Sequence, residues 1–91
     1  MPAVTLDSAL RLDPKVSIRP EPFGALLYHF GTRRLSFLKS RTLLAVVEGL
    51  RATATVRSAL EAAGVPERDA GTYLAALETL VASHMLVEAE D

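Results

Sequence analysis

Apolar and polar residues alternate early in the chain and then change period. From Lys15 to Arg19, Val16 and Ile18 fall on one side while Ser17 and Arg19 fall on the other, the period-two signature of a short strand. Pro20-Glu21-Pro22 interrupts it, because neither proline can donate to a ladder. A second run, Ala25 to Phe30, is rich in strand-favouring residues and ends at Gly31-Thr32, a pair that suits a two-residue type II′ hairpin turn. Arg33 to Leu38 is then the returning strand. With Gly31 and Thr32 as the loop, Phe30 faces Arg33, Tyr28 faces Leu35 and Leu26 faces Phe37. Leu26, Tyr28, Phe30, Leu35 and Phe37 are expected on the core side of this sheet. Ala25, Leu27, His29, Arg34, Ser36 and Leu38 form the other, mixed face, and a one-residue slip would exchange the two sets.

Beyond Leu38 the period becomes helical. Ser40 is placed to cap a helix from about Arg41 to Leu50, with Leu43, Leu44, Val46, Val47 and Leu50 apolar. Thr53 or Thr55 caps the next, where Val56, Ala59, Leu60 and Ala63 follow helical spacing. Gly64 supplies the left-handed residue that ends it. Pro66 suits the first turn of a third helix reaching about His84, and Gly71 inside it costs about 1 kcal/mol relative to alanine. Leu86-Val87 is expected to return toward the sheet. Residues 1–13 show no period and are read as an N-terminal tail, residues 14–88 as the domain and residues 89–91 as a C-terminal tail. The resulting fold class is α+β and winged helix-turn-helix-like: a three-stranded antiparallel sheet followed by a three-helix bundle.

Ninety-one residues make one domain, which at this size buries roughly 60–70% of the surface its unfolded chain exposes. Apolar residues at 49% and charged residues at 23% place it among globular chains. There is no cysteine, so this chain alone can form no disulfide, thiolate zinc site or iron–sulfur ligation. It shows no secretory signal pattern and no apolar stretch of membrane-spanning length, and the expected location is cytoplasmic. Net charge is −1 but unevenly placed. Arg11 to Arg41 holds seven basic residues against Asp13 and Glu21, whereas Thr42 to Asp91 holds three against eight acidic ones. The basic half can attract an acidic ligand, or can be a solvated surface.

Groupings that carry chemistry are missing. His29 and His84 lie on a strand and near a helix end, without metal-ligand spacing. Ser36, Ser40, Ser58 and Ser83 lack a nucleophile-elbow context, the glycines form no phosphate-binding loop, and Glu21, Glu48, Glu61 and Glu78 do not pair as acid and base. The chain is therefore read as non-catalytic and without a cofactor. A winged-helix transcription regulator is the alternative, because this architecture often reads DNA through its last helix. That helix carries Glu67, Asp69 and Glu78 against Arg68 alone, a poor match to phosphate, and nucleic acid is not an expected partner.

The run RPEPFGALLYHFGTRRLSFLKS, Arg19 to Ser40, combines Pro-Glu-Pro-Phe-Gly, Tyr-His-Phe-Gly-Thr and Leu-Ser-Phe-Leu-Lys. It resembles the hallmark segment of the mycofactocin peptide chaperones, members of the RiPP recognition element family related to the pyrroloquinoline quinone D-type chaperones. The resemblance extends from about Leu12 to Val87 and is weakest between Gly49 and Gly71. It implies binding of the leader region of the mycofactocin precursor peptide, added as a strand in the cleft between third strand and third helix. It further implies delivery to a radical S-adenosylmethionine maturase, which holds the iron–sulfur clusters and oxidatively decarboxylates the peptide's C-terminal tyrosine.

The residues meet this expectation at three points. The third strand has no following strand and is an open edge of the kind that invites β-addition, which nominates Arg33, Arg34, Leu35, Ser36, Phe37 and Leu38 for peptide binding. The wide apolar stripe of the last helix nominates Tyr73, Leu77, Leu80 and His84, with core packing as the alternative for at least half of them. Leaders of this class are often acid-rich, which matches the basic half. A short hinge near Lys39 joins the strand and helix halves, so the free protein is expected as a monomer or a domain-swapped dimer.

Overall fold

The computed structural model describes residues 4–89. In chain order they form β1 (Leu10–Leu12), β2 (Val16–Glu21), β3 (Gly24–His29), β4 (Leu35–Leu38), α1 (Arg41–Gly49) and α2 (Val56–Ala62). A 3-10 turn (Glu67–Asp69), α3 (Ala70–Ala82) and β5 (Leu86–Glu88) complete the chain. The α+β class holds, with β2-β3-β4 as a three-stranded antiparallel sheet and three helices after it. The segment expected as an N-terminal tail is instead built into the domain. Leu10–Leu12 pairs antiparallel with Leu86–Glu88 in a separate ribbon, and Val4, Leu10 and Leu12 are buried. The amides of Val56 and Arg57 donate to the Ser8 and Leu6 carbonyls at 2.9 Å each, which ties this segment to the start of α2. Residues 1–3, 90 and 91 of the expected tails lie outside the described residues.

The sheet's pairings follow the expected register, but its faces are reversed. Leu26 pairs with Phe37 and Tyr28 with Leu35. Yet Ala25, Leu27, His29 and Leu38 are the buried residues, and the larger side chains of Phe30, Leu35 and Phe37 are 58–61% exposed. The cause lies in β2. Pro22-Phe23 is a two-residue turn that pairs Glu21 with Gly24, so Ile18 meets Leu27, Val16 meets His29, and Arg19 meets Leu26. The apolar side of β2 therefore continues into Leu27 and His29, and its Ser17/Arg19 side continues into Tyr28 and Leu26. Helix α1 packs over this inner face against β3 and β4, where Ala25 leaves room for it.

The hairpin loop differs too. It has four residues, Phe30 to Arg33, closed by His29 N–H donating to the Arg34 carbonyl (3.0 Å) and Arg33 N–H to the His29 carbonyl (2.7 Å). The left-handed residue is Arg33, at φ 63°, and Gly31 is not in that region; the expected type II′ turn and Phe30–Arg33 pair do not form. His29 is the reason. Its buried Nδ1 accepts the amides of both Gly31 and Thr32 at 3.0 Å, which a two-residue turn would not present to it.

Helix boundaries follow local chemistry. Ser40 Oγ accepts the Leu43 amide at 3.1 Å and caps α1. Thr55 Oγ1 accepts the Ser58 amide at 3.2 Å and caps α2. Gly64, at φ 77°, closes α2 in a Schellman motif, with Gly64 N–H on the Glu61 carbonyl and Val65 N–H on that of Leu60. The same motif ends α3 on His84, at φ 66°, with its amide on Val81 and that of Met85 on Leu80. The core joins Leu27 and Leu38 of the sheet to Val46 and Val47 of α1, Val56 and Leu60 of α2, and Leu77 and Leu80 of α3. Gly71 is helical, and a methyl group there meets nothing within 4 Å. Gly71→Ala is therefore expected to stabilise by about 0.5–1 kcal/mol, read as a higher urea midpoint with an unchanged m-value.

Candidate functional site

The hydrogen-bond phase of the sheet decides which backbone groups are free. The bond from His29 N–H to the Arg34 carbonyl makes that pair a hydrogen-bonded one. Antiparallel ladders alternate, so Leu27–Ser36 and Ala25–Leu38 also exchange bonds, and Tyr28–Leu35 and Leu26–Phe37 do not. The N–H and C=O of Leu35 and Phe37 therefore point away from β3. With β4 outermost in the order β2-β3-β4, they form a row of two donors and two acceptors along the sheet's border.

The opposite border, on β2, is blunted. Phe30 N–H donates to the Lys15 carbonyl, which sets the phase so that Val16, Ile18 and Pro20 point outward. Val16 N–H is already spent on the Asp13 carbonyl at 2.9 Å, and Pro20 has no N–H to offer. Ile18 is left as the single outward donor in that row. Of the two borders, β4 is the one equipped to accept a strand.

Beside this border lies the outer face. Leu35 and Phe37 stand on it at 58% and 59% exposure, with Phe30 at 61% and Phe23 at 46%. The rings are in contact: Phe23 and Phe37 centroids lie 6.4 Å apart, and Tyr28 meets Phe30 edge-on at 5.2 Å. Arg33, Arg34 and Lys39 flank β4 and are exposed. Arg41 Nε donates to the Pro22 carbonyl at 3.1 Å, beside the Phe23 turn. Arg19 shares the outer face and pairs with Glu21 at 3.0 Å.

The loop at the end of β4 is anchored from below. Because His29 Nδ1 accepts two amides, the ring's proton sits on Nε2, which faces Asp13 Oδ2 at 3.5 Å. Asp13 Oδ1 in turn accepts the Lys15 amide at 2.8 Å. That backbone hydrogen bond, opposed by burial and reinforced by the nearby His29, holds the Asp13 carboxyl below its ordinary value of 3.8. A carboxyl whose pKa falls on folding stabilises above the unfolded value, and the contribution is lost as pH drops through the folded one. Asp13→Asn is accordingly expected to lower the melting temperature at pH 7, and the gap from the parent should close below about pH 3.8. Melting curves from pH 7 to pH 2.5 would show it, and a gap constant over that range would remove Asp13 from the loop's support.

The nominated residues divide by burial. Arg33, Arg34, Leu35 and Phe37 are exposed, and Ser36 is half-buried on the inner face. Leu38 (1% exposed), Leu77 (0%) and Leu80 (4%) lie in the core, and Tyr73 is half-buried against it. His84 is exposed at the end of α3. Helix α3 makes its main contacts with β5 and the 3-10 turn, and α1 is the helix that leans most on β3 and β4. The strand residues are thus brought together, whereas of the helical four only Tyr73 and His84 keep surface. Phe23 and Phe30 were not among the nominated residues, although each sits in a turn at one end of the exposed aromatic run.

Elsewhere, a hollow of about 180 Å³ lies between the N-terminal segment, α2 and the 3-10 turn, floored by Leu6, Leu60 and Val65. That is small beside the 300–1,000 Å³ typical of ligand pockets. Among the described residues no three His, Asp or Glu side chains gather as metal ligands. Among the described residues no helix is long and apolar enough to cross a membrane.

These features define a small α+β domain distinguished by an open strand border beside an exposed apolar face. The peptide chaperone MftB family matches residues 9–87. The chain is 60% identical over 84 residues to the peptide chaperone MftB of Mycobacterium ulcerans (strain Agy99), which covers 92% of this chain and 77% of that one. It is 59% identical over 81 residues to the peptide chaperone MftB of Mycobacterium tuberculosis (strain H37Rv), covering 89% and 74%. The peptide chaperone MftB of Mycolicibacterium smegmatis is similar at 58% over 81 residues, covering 89% and 79%. No solved structure matches the chain significantly. The chain belongs to the peptide chaperone MftB family.

Proposed function

We propose that this chain binds the leader region of the mycofactocin precursor peptide as a strand added to β4 and delivers it to a radical S-adenosylmethionine maturase, with no step of chemistry on its own residues. One observation carries the binding mode: Leu35 and Phe37 turn their N–H and C=O groups outward on the sheet border that lacks a proline. In this reading β2-β3-β4 acts as the wing of a winged helix-turn-helix-like fold. Arg33 and Arg34 attract an acidic leader, and Ser36 positions the strand from the inner face. Tyr73 and His84 are the helical residues with surface to offer, and Leu38, Leu77 and Leu80 belong to the core that supports the fold.

Four backbone bonds at about 1 kcal/mol net each supply roughly 4 kcal/mol, and micromolar binding needs about 8. The side chains of Leu35 and Phe37 on β4 and the arginines must furnish the remainder, and must also offset the ordering of a flexible peptide. The edge geometry makes a position-specific prediction. Leu35→Pro or Phe37→Pro removes one outward donor and should weaken the peptide about fivefold in calorimetric titration, the equivalent of one net hydrogen bond. Ser36→Pro instead removes a donor that faces Leu27 and should unfold the sheet, seen as a collapsed melting temperature. Full affinity in folded Leu35→Pro and Phe37→Pro variants would place the peptide elsewhere.

A further inference from the structure

Four large apolar side chains, Phe23, Phe30, Leu35 and Phe37, stand 46–61% exposed on one face of the sheet. With aromatic side chains at 150–250 Å² each, they leave roughly 400 Å² of apolar surface in water. A contiguous apolar patch of that size on a small chain is often functional, whereas singly scattered exposed residues need no explanation. Here the residues are not scattered. Cross-strand pairs Leu26–Phe37 and Tyr28–Leu35 join the ring contacts Phe23–Phe37 and Tyr28–Phe30 into one continuous band from the β2–β3 turn to the β3–β4 loop. Strand addition does not account for it. A peptide on β4 lies in the plane of the sheet, and Phe23 and Phe30 sit in turns.

The band's border carries an excess of positive charge. Arg19, Arg33, Lys39 and Arg41 border it, and Glu21, which pairs with Arg19, is the sole acidic residue between Val16 and Arg41. Two copies of the face brought together would oppose cations to cations, and stable homodimers generally bury more apolar area than this band supplies. A standard interface of about 800 Å² per partner does fit, with the band as its dry centre and the arginines as its rim.

We propose that the outer face of the β2-β3-β4 sheet docks a folded protein surface that is apolar at its centre and acidic at its rim, and that this surface belongs to the maturase. Naming the maturase rests on the function proposed above. Loading strengthens the contact: a peptide strand on β4 extends the same sheet, and its outward side chains line up beside Leu35 and Phe37. The partner therefore meets a wider face on the loaded chaperone than on the empty one.

The test uses the full chain, Phe23→Ser/Phe30→Ser and the purified radical S-adenosylmethionine maturase, with affinities read by interferometry and peptide binding read separately by calorimetry. Both substituted positions are exposed and lie off β4. The double variant is expected to melt within a few degrees of the parent and to bind peptide within twofold. It should bind the maturase at least tenfold more weakly, and parental binding should weaken from 50 to 500 mM NaCl and tighten when precursor peptide is added. Unchanged maturase affinity in the folded double variant would overturn the proposal. So would light scattering that shows a parental dimer which the double variant abolishes, since the face would then belong to a second copy. Loss of the peptide arm alone, with the maturase arm intact, would strike the leader-binding reading and leave the docking face standing.

Discussion

Alanine at Gly24 is expected to cost the fold about 3 kcal/mol and lower the melting temperature by more than 10 °C. Two effects act together there. Gly24 sits at φ 152°, a conformation that side-chain-bearing residues adopt only at a strain of about 1–3 kcal/mol. A Cβ built on it also runs into backbone, with the Leu38 carbonyl oxygen and the Ser40 amide nitrogen as its nearest atoms. Neither can yield cheaply. Leu38 is buried at the end of β4 and paired with Ala25, and Ser40 caps α1. A methyl group here pushes the sheet border away from the helix start. At 4–8 °C per kcal/mol for a domain of this size, thermal unfolding followed by circular dichroism should register the loss clearly. A drop of only a degree or two would mean that the β4–α1 junction relaxes freely.

Gly24 also bears on what could be read before the fold was known. The helix cap Ser40 and the glycine stop at Gly64 were legible, and the second cap was narrowed to Thr53 or Thr55, because each is a local device with one dominant use. The sheet's strand pairing was legible for β3 and β4. Its inner face was misread, since the large side chains of Phe30, Leu35 and Phe37 outweigh Ala25, Leu27 and Leu38 by size. The deciding signal stood one strand earlier. Val16 and Ile18 alternate cleanly with Ser17 and Arg19, and a two-residue turn at Pro22-Phe23 carries that division into β3. Size favours burying the aromatics, but connectivity forbids it.

The β1–β5 ribbon was illegible for a different reason. Three residues of alternation in Leu10-Arg11-Leu12 are too few to set a period, and the partner at Leu86–Glu88 lies at the other end of the chain. For the site, the border strand was legible from its position before the first helix. Which of its amides are free was not, because that depends on the four-residue loop set by His29, a histidine that the sequence marks only as lying on a strand without metal-ligand spacing.

Leu77→Ala separates the residues that build the site from those that would touch a ligand. Leu77 is wholly buried and belongs to the central cluster, so truncation removes packed methyl groups and leaves a cavity. The expected cost is about 2–5 kcal/mol, a large share of the 5–15 kcal/mol that holds a small domain together. The melting temperature should fall by 10 °C or more. Leu35→Ala, at 58% exposure on the outer face, should change stability by no more than about 0.5 kcal/mol. Peptide binding should respond in the opposite order. Measured well below its melting temperature, Leu77→Ala should keep most of its affinity, because its side chain reaches no surface. Leu35→Ala should lose affinity, because its side chain stands beside the free amides that receive the strand. If the leader instead lay in a groove reaching down to α3, Leu77→Ala would lose binding faster than its stability explains, and the border strand would cease to be the principal element of the site.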